Sequence, residues 1–190
     1  MTSSSVINVV GIGGSLRAGS QSERALRIAL AGAEEAGART QAITGSELVL
    51  PFYDSGIPER TPEAERLVEA VRGADGLIIV SPGYHGALSG LVKNALDYLE
   101  DLRPDTRPYL DGRGVGLIAV AFGWQAAVTT LDQLRTITHA LRGWPTPLGG
   151  AINSAEVKFD EAGGASEEKV VNTLRLIGRH VTEFARDRRR

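Results

Sequence analysis

No cysteine occurs in the 190-residue chain, which excludes disulfides, thiolate catalysis and cysteine-ligated zinc or iron–sulfur centres. No uncharged apolar run approaches the roughly 20 residues that a membrane-crossing helix needs. Met1 to Ser5 lack the basic stretch and apolar core of a secretory signal. The expected location is the cytoplasm, with no membrane partner. An excess of one charge is also missing, since 21 Lys and Arg against 23 Asp and Glu leave a net -2. That balance gives no support to a nucleic-acid partner. Arg186, Arg188, Arg189 and Arg190 gather at the carboxyl end, and residues 187–190 are expected to form a frayed basic tail. His85, His139 and His180 are too dispersed to make a metal site, and no glutamate–histidine helix motif accompanies them. Repeats, low-complexity segments and linkers are absent, so residues 1–190 read as one domain.

What the chain does have is glycine, 23 residues of it, much of it placed just after apolar runs. Val6 to Ile12 is nearly all apolar and reads as a strand buried on both faces. A helix follows from about Ser22, with Leu26, Ala29, Leu30 and Ala33 at helical spacing and Gly37 as its stop. Arg39 to Ile43 forms a second strand. Thr61 caps the next helix, with Pro62 in its first turn. Gly76 to Val80 is the third strand, and the helix after it turns Leu91, Val92, Ala95, Leu96 and Leu99 inward. Val115 to Val120 is the fourth, followed by a helix with Val128, Leu131, Leu134 and Leu141 inward. Trp144 to Ile152 holds a short fifth strand, and Glu167 to Arg186 the closing helix. The polar stretch from Glu156 to Ser166 reads as a mobile loop. Strands alternating with helices demand an α/β fold with a parallel sheet covered on both sides, and right-handed crossovers leave few topologies.

The turn after the first strand, Gly11-Ile12-Gly13-Gly14-Ser15-Leu16, lacks the third glycine of the dinucleotide fingerprint, and no lysine follows it as in a nucleoside-triphosphate loop. It offers Ser15, Arg17, Ser20 and Ser22 instead. Two readings stand: a serine-rich loop with an ordinary helix cap, or a cradle for a terminal phosphate, which wants hydroxyls, backbone N–H groups and a guanidinium. Its place straight after the first strand of a doubly wound sheet favours the cradle. The loop after the third strand concentrates Pro82, Gly83, Tyr84, His85, Gly86 and Ser89 within ten residues. Such a loop either closes the sheet edge or lays main chain against a flat ligand, and ligands in this architecture sit beyond the strand carboxyl ends.

Gly14-Ser15-Leu16-Arg17 with Ser20 and Ser22, taken with Ser81-Pro82-Gly83-Tyr84-His85-Gly86 and Ser89-Gly90-Leu91-Val92-Lys93-Asn94-Ala95-Leu96-Asp97, resembles the NAD(P)H-dependent FMN reductase family. The likeness runs from Ile7 to about Ile152. It implies a flavodoxin-like doubly wound sheet of five parallel strands, order 2-1-3-4-5, with helices on both faces. It also implies FMN as cofactor and NADPH or NADH as electron donor. The FMN phosphate maps to Ser15, Arg17, Ser20 and Ser22, and the isoalloxazine ring to Pro82, Tyr84, His85 and Gly86. Gly83 and Ser89 belong to the same loop, and Gly83 departs from the acidic residue many members carry. Relatives imply a homodimer or homotetramer, with Asp97 and Tyr98 on the dimer surface, and a flavin-dependent monooxygenase among the partners served. In the fourth loop, Phe122, Gly123 and Trp124 stand where relatives have small residues. Phe122 and Trp124 either line the substrate cavity or belong to core or interface.

Hydride transfer from nicotinamide to flavin N5 needs stacked rings and no covalent nucleophile, so no catalytic side chain is expected. The function implied is NAD(P)H-dependent reduction of FMN. The alternatives are an FMN-containing quinone, azo or metal-oxyanion reductase, and a non-enzymatic flavodoxin-type electron carrier.

Overall fold

The computed structural model describes residues 6–189. Strands β1 (Ile7–Gly13), β2 (Ala38–Thr44), β3 (Gly76–Tyr84) and β5 (Gly114–Ala121) form a parallel sheet in the order β2-β1-β3-β5. The last position is shared by β6 (Trp144–Pro145) and β7 (Gly150–Asn153), each parallel to β5. Pro145 and Pro147 have no N–H to give a ladder, which divides the expected fifth strand. Counted over the long strands, this is the 2-1-3-4-5 doubly wound topology. The two-residue strand β4 (Ala87–Leu88) folds back antiparallel onto the end of β3.

Each central strand feeds two cores, because successive side chains point to opposite faces. Val10, Ile12, Leu77, Ile79, Val115 and Leu117 pack under α2 (Pro62–Arg72), α3 (Gly90–Asp97) and α4 (Trp124–Ala140). Val9, Ile78, Val80, Ile118 and Val120 pack under α1 (Gln21–Glu35) and α5 (Glu168–Arg188). Burial on both sides explains why the strands read as unbroken apolar runs rather than alternating ones. Ser20 caps α1 and Thr61 caps α2 through their hydroxyls.

Four expectations are corrected. Residues 187–189 are not a frayed tail: α5 runs through Arg188, whose guanidinium lies 6.0 Å from the Trp144 ring centre, and Arg189 makes a bidentate pair with Asp75. Arg190 lies outside the described residues. The stretch from Glu156 to Ser166 is docked, with Val157 and Phe159 in the core and Phe159 bridged to Ala165. On α4 the buried side is Ala127, Thr130, Leu134 and Thr138, and Val128 faces outward. Tyr98 is not surface either. It is buried in a 3₁₀ turn after α3, and its hydroxyl donates to the Pro51 carbonyl at 3.0 Å.

Immediately before β5, at its amino end, Arg113 is fully buried. Among the described residues it has no acidic partner in contact, and it donates to the carbonyls of Arg72, Ala74 and Tyr109 at 2.9, 3.0 and 2.8 Å. Two of these lie at the end of α2, whose unpaired carbonyls attract a cation. Burial, with the neighbouring Arg107 charge, pulls the Arg113 guanidinium down to about 10, so it stays protonated at neutral pH. Among the described residues no helix is long and apolar enough to cross a membrane, and no group of three or more His, Asp or Glu is placed to hold a metal ion.

Candidate active site

The chain leaves β1 toward β2 on one side and later places β3 on the other, so the connections diverge beyond the ends of β1 and β3. A crevice is expected at such a reversal. A cleft of about 380 Å³ lies there. Ser15, Arg17, Ser20 and Ser22 line one end. Pro82, Gly83 and Tyr84 line another wall, with Val120, Ala121 and Phe122 from the end of β5 and Ser154 from beyond β7. Two loops distant in sequence, one ending near Ser22 and the other beginning at Pro82, therefore meet on one cavity.

The first turn is built around α1. Ser20 and Ser22 are buried, with hydroxyls 3.2 Å apart, and the Ser20 oxygen accepts the Glu23 N–H. The first N–H groups of a helix have no partner within it and carry its positive end. Arg17 is exposed at the rim. Glu23 is turned away from the cleft: its carboxylate accepts the Gly19 N–H at 3.0 Å and two bonds from Arg27 at 3.1 and 2.7 Å. Burial alone would raise the Glu23 carboxyl. The bonds from Arg27 and Gly19, with the charges of Arg27 and Arg24, outweigh it and hold the group below the ordinary carboxylate range.

The β3 loop is held from below. Ser81 Oγ accepts the Ser89 N–H at 2.9 Å and donates to the Pro82 carbonyl, while Ser89 Oγ caps α3 at Val92 N. Gln133 of α4 clasps the hairpin, donating to Gly86 O at 2.9 Å and accepting the Leu88 N–H at 3.2 Å. His85 is exposed, with φ of 52°. A Cβ at Gly83 would lie 2.6 Å from Thr130 Oγ1 and 2.8 Å from Ala121 Cβ. Close packing of α4 and the end of β5 therefore leaves no room for a side chain at this position.

In the fourth loop Asn153 Oδ1 accepts the N–H groups of Gly123 and Ala155 at 2.8 and 3.0 Å, and its amide donates to Glu156. Glu156 also accepts the Trp124 indole N–H at 2.9 Å. Phe122 is left 82% exposed on the cleft and Tyr84 54%. Seven of the twelve expected site residues thus line one cavity. His85, Gly86, Ser89, Gly123 and Trp124 flank it, and Ser89 serves the helix cap.

The sequence model of the family described as NADPH-dependent FMN reductase matches residues 7–156, from the start of β1 to the loop beyond β7. The chain belongs to the NADPH-dependent FMN reductase family. With membership comes an NAD(P)H- and FMN-dependent oxidoreductase activity. The chain is similar to an NAD(P)H-dependent FMN reductase of Pseudomonas aeruginosa, 31% identical over 167 residues that span 86% of each protein. To an NADPH azoreductase of a Bacillus strain it is 26% identical over 136 residues, 71% of this chain and 73% of that one. Its fold matches FerB, a flavoenzyme NAD(P)H:acceptor oxidoreductase of Paracoccus denitrificans, with a TM-score of 0.79 at 19% identity, covering 96% of this chain and 98% of the other.

Gln21, Gln133, Asn153 and Ser154 escaped the sequence reading. Ser154 carried one readable signal, its place just after the last parallel strand. The amide side chains carried none, because the partners that tie them to the cleft loops, Phe159, Gly86, Leu88 and Gly123, are main-chain groups distant in sequence.

Proposed function

We propose that the cleft holds FMN, with its phosphate on Ser15, Arg17, Ser20 and Ser22 and its ring along Pro82 to Gly86, and that the enzyme uses NADPH or NADH to reduce it and pass electrons to a small acceptor. The observation that carries this reading is the donor set. Three hydroxyls and a guanidinium stand at one end of the cleft, no carboxylate among the described residues lines it, and apart from Gln21 and Ser154 the rest is proline, small apolar and aromatic residues. That distribution suits an anionic phosphate joined to a flat, largely apolar ring. When bound, the flavin supplies the redox chemistry, accepting hydride at N5.

The residues of the chain position and shield. Ser81 and Gln133 fix the β3 loop so that its main chain presents a firm wall, and Asn153 fixes the loop that carries Phe122. Among the described residues no carboxylate lines the ring end of the cleft, and His85 is exposed, so no side chain is assigned as an obligatory acid or base. The test is rapid mixing of FMN-loaded protein with NADPH and NADH deuterated at C4. A primary isotope effect on flavin bleaching is expected, retained in His85→Asn with only a modest loss of rate, whereas an essential acid or base contributes typically 10²–10⁴-fold. If neither nucleotide bleaches the flavin while another donor does, the protein is a carrier.

A second reading concerns the acceptor. The similarity to an azoreductase and the exposed rings of Tyr84 and Phe122 on the cleft favour a planar aromatic acceptor, quinone or azo compound, over a metal oxyanion. Turnover with menadione exceeding that with chromate would support it, and the reverse would exclude it. Exposed Trp124 and Val128, four residues apart on one face of α4 beside exposed Phe122, favour assembly as a homodimer or homotetramer. Sedimentation equilibrium should show at least a dimer at micromolar concentration, and a fully active monomer would contradict this. The alternative recipient is a flavin-dependent monooxygenase, to which reduced FMN would have to be released; added monooxygenase accelerating NADPH consumption would favour that alternative over a retained flavin.

A further inference from the structure

Gln21 is the first residue of α1 and lines the cleft, yet its amide is committed elsewhere. Its Nε2 donates to the Phe159 carbonyl at 3.1 Å, and the Phe159 N–H donates to its Oε1 at 2.7 Å. The side chain pairs with that main chain as a neighbouring strand would. Arg24, one turn on, donates to the same carbonyl at 2.8 Å and to Glu161 at 3.2 Å. Both residues thus grip one point of the segment 154–166, which begins at Ser154 on the cleft.

That point cannot easily move. The Phe159 ring is 3% exposed in the core under α1 and α5. Beyond it, Asp160 closes the tip of the segment by accepting the N–H groups of Ala162 and Gly164 at 2.9 and 2.8 Å. On the other flank of the turn, Glu23 holds the Gly19 N–H. The serine turn is therefore pinned from both sides before any ligand arrives.

We propose that Gln21 and Arg24 are positioning residues that hold the serine turn in its phosphate-binding shape and thereby set how slowly FMN leaves. The proposal rests on the reading of this cleft as the FMN site. A turn held in its bound geometry costs little ordering on binding, and the affinity gained this way appears mainly as slower dissociation. The consequence is that FMN stays through successive turnovers and electrons leave through an acceptor that visits the cleft.

The experiment compares dissociation of FMN and of riboflavin, followed by recovery of flavin fluorescence on dilution, in the unaltered protein and in Gln21→Met. Methionine keeps the volume and removes both bonds. FMN dissociation is expected to accelerate about tenfold or more, since two hydrogen bonds are lost, while riboflavin dissociation changes less than about twofold because it has no phosphate to place. An unchanged FMN rate overturns the proposal. Equal acceleration of both flavins also overturns it, since loosening of the whole fold would do that. If Gln21→Met does not fold, Arg24→Gln decides by the same criterion, with an expected FMN-selective acceleration of several-fold. Should the unaltered protein release FMN and riboflavin alike, the phosphate assignment itself falls and this proposal with it.

Discussion

Gly178→Ala is expected to lower the melting temperature by roughly 6–12 °C, although it adds a single methyl group. Helices α1 and α5 cross with their backbones in contact. A Cβ on Gly178 would lie 1.9 Å from the Ala29 carbonyl oxygen and 2.8 Å from Ala33 N, and one on Gly32 would lie 2.1 Å from Arg175 O. Both obstacles are main chain, so no rotamer change relieves them. The helices would have to part by about 1 Å, loosening the shared core of Ala25, Ala29, Leu174, Ile177 and Val181. Overpacking of this kind costs about 1–3 kcal/mol, and more when nothing can shift. At about 3 kcal/mol it removes a large part of a stability of roughly 5–15 kcal/mol, and each kcal/mol shifts the midpoint by about 2–4 °C at this chain length. Gly73→Ala is the control, because its nearest neighbour would be 3.6 Å away. Calorimetry showing the two variants melting together would contradict the close crossing.

Arg17→Ala combined with Ser20→Ala is expected to weaken FMN binding by about 100-fold or more and riboflavin binding by less than about threefold. Each charge-assisted bond to phosphate is worth roughly 1.5–3 kcal/mol, and about 1.4 kcal/mol is a factor of ten. Ser20 also caps α1, and losing a cap costs about 0.5–2 kcal/mol of stability. That cost falls on both flavins alike, so the ratio of affinities isolates the phosphate. Fluorescence titration with the two flavins measures it, and equal losses would contradict the assignment.

The sheet was legible because strands buried on both faces must be apolar at every position, as Gly76 to Val80 is. The split of the last strand was visible only as two prolines, whose effect depends on which N–H faces the neighbour. Helix α4 misled at Val128: the packing side is set by Thr130 and Thr138, polar residues that an apolar stripe does not mark. The arginines at the carboxyl end read as solvated because the sequence does not show that Asp75 and Trp144 lie beside them. In the cleft, side chains that would face a ligand were legible by type and place, notably Ser15, Arg17, Ser20, Ser22, Pro82 and Tyr84. The supports behind them, Gln21, Gln133 and Asn153, each reach main chain far along the sequence, at Phe159, Gly86 and Gly123, and residue type alone does not announce that.

The placement of the FMN phosphate against the first turn is tested most directly by phosphorus NMR of FMN bound to the unaltered protein, followed as a function of pH. A phosphate monoester in water takes up its second proton near pH 6. Hydroxyl donors, the positive end of α1 and Arg17 all favour the dianion. The bound resonance is therefore expected to stay displaced from that of free FMN and unchanged from about pH 5 to 8. A bound signal that titrates near pH 6, as in free FMN, would place the phosphate in solvent and contradict the account.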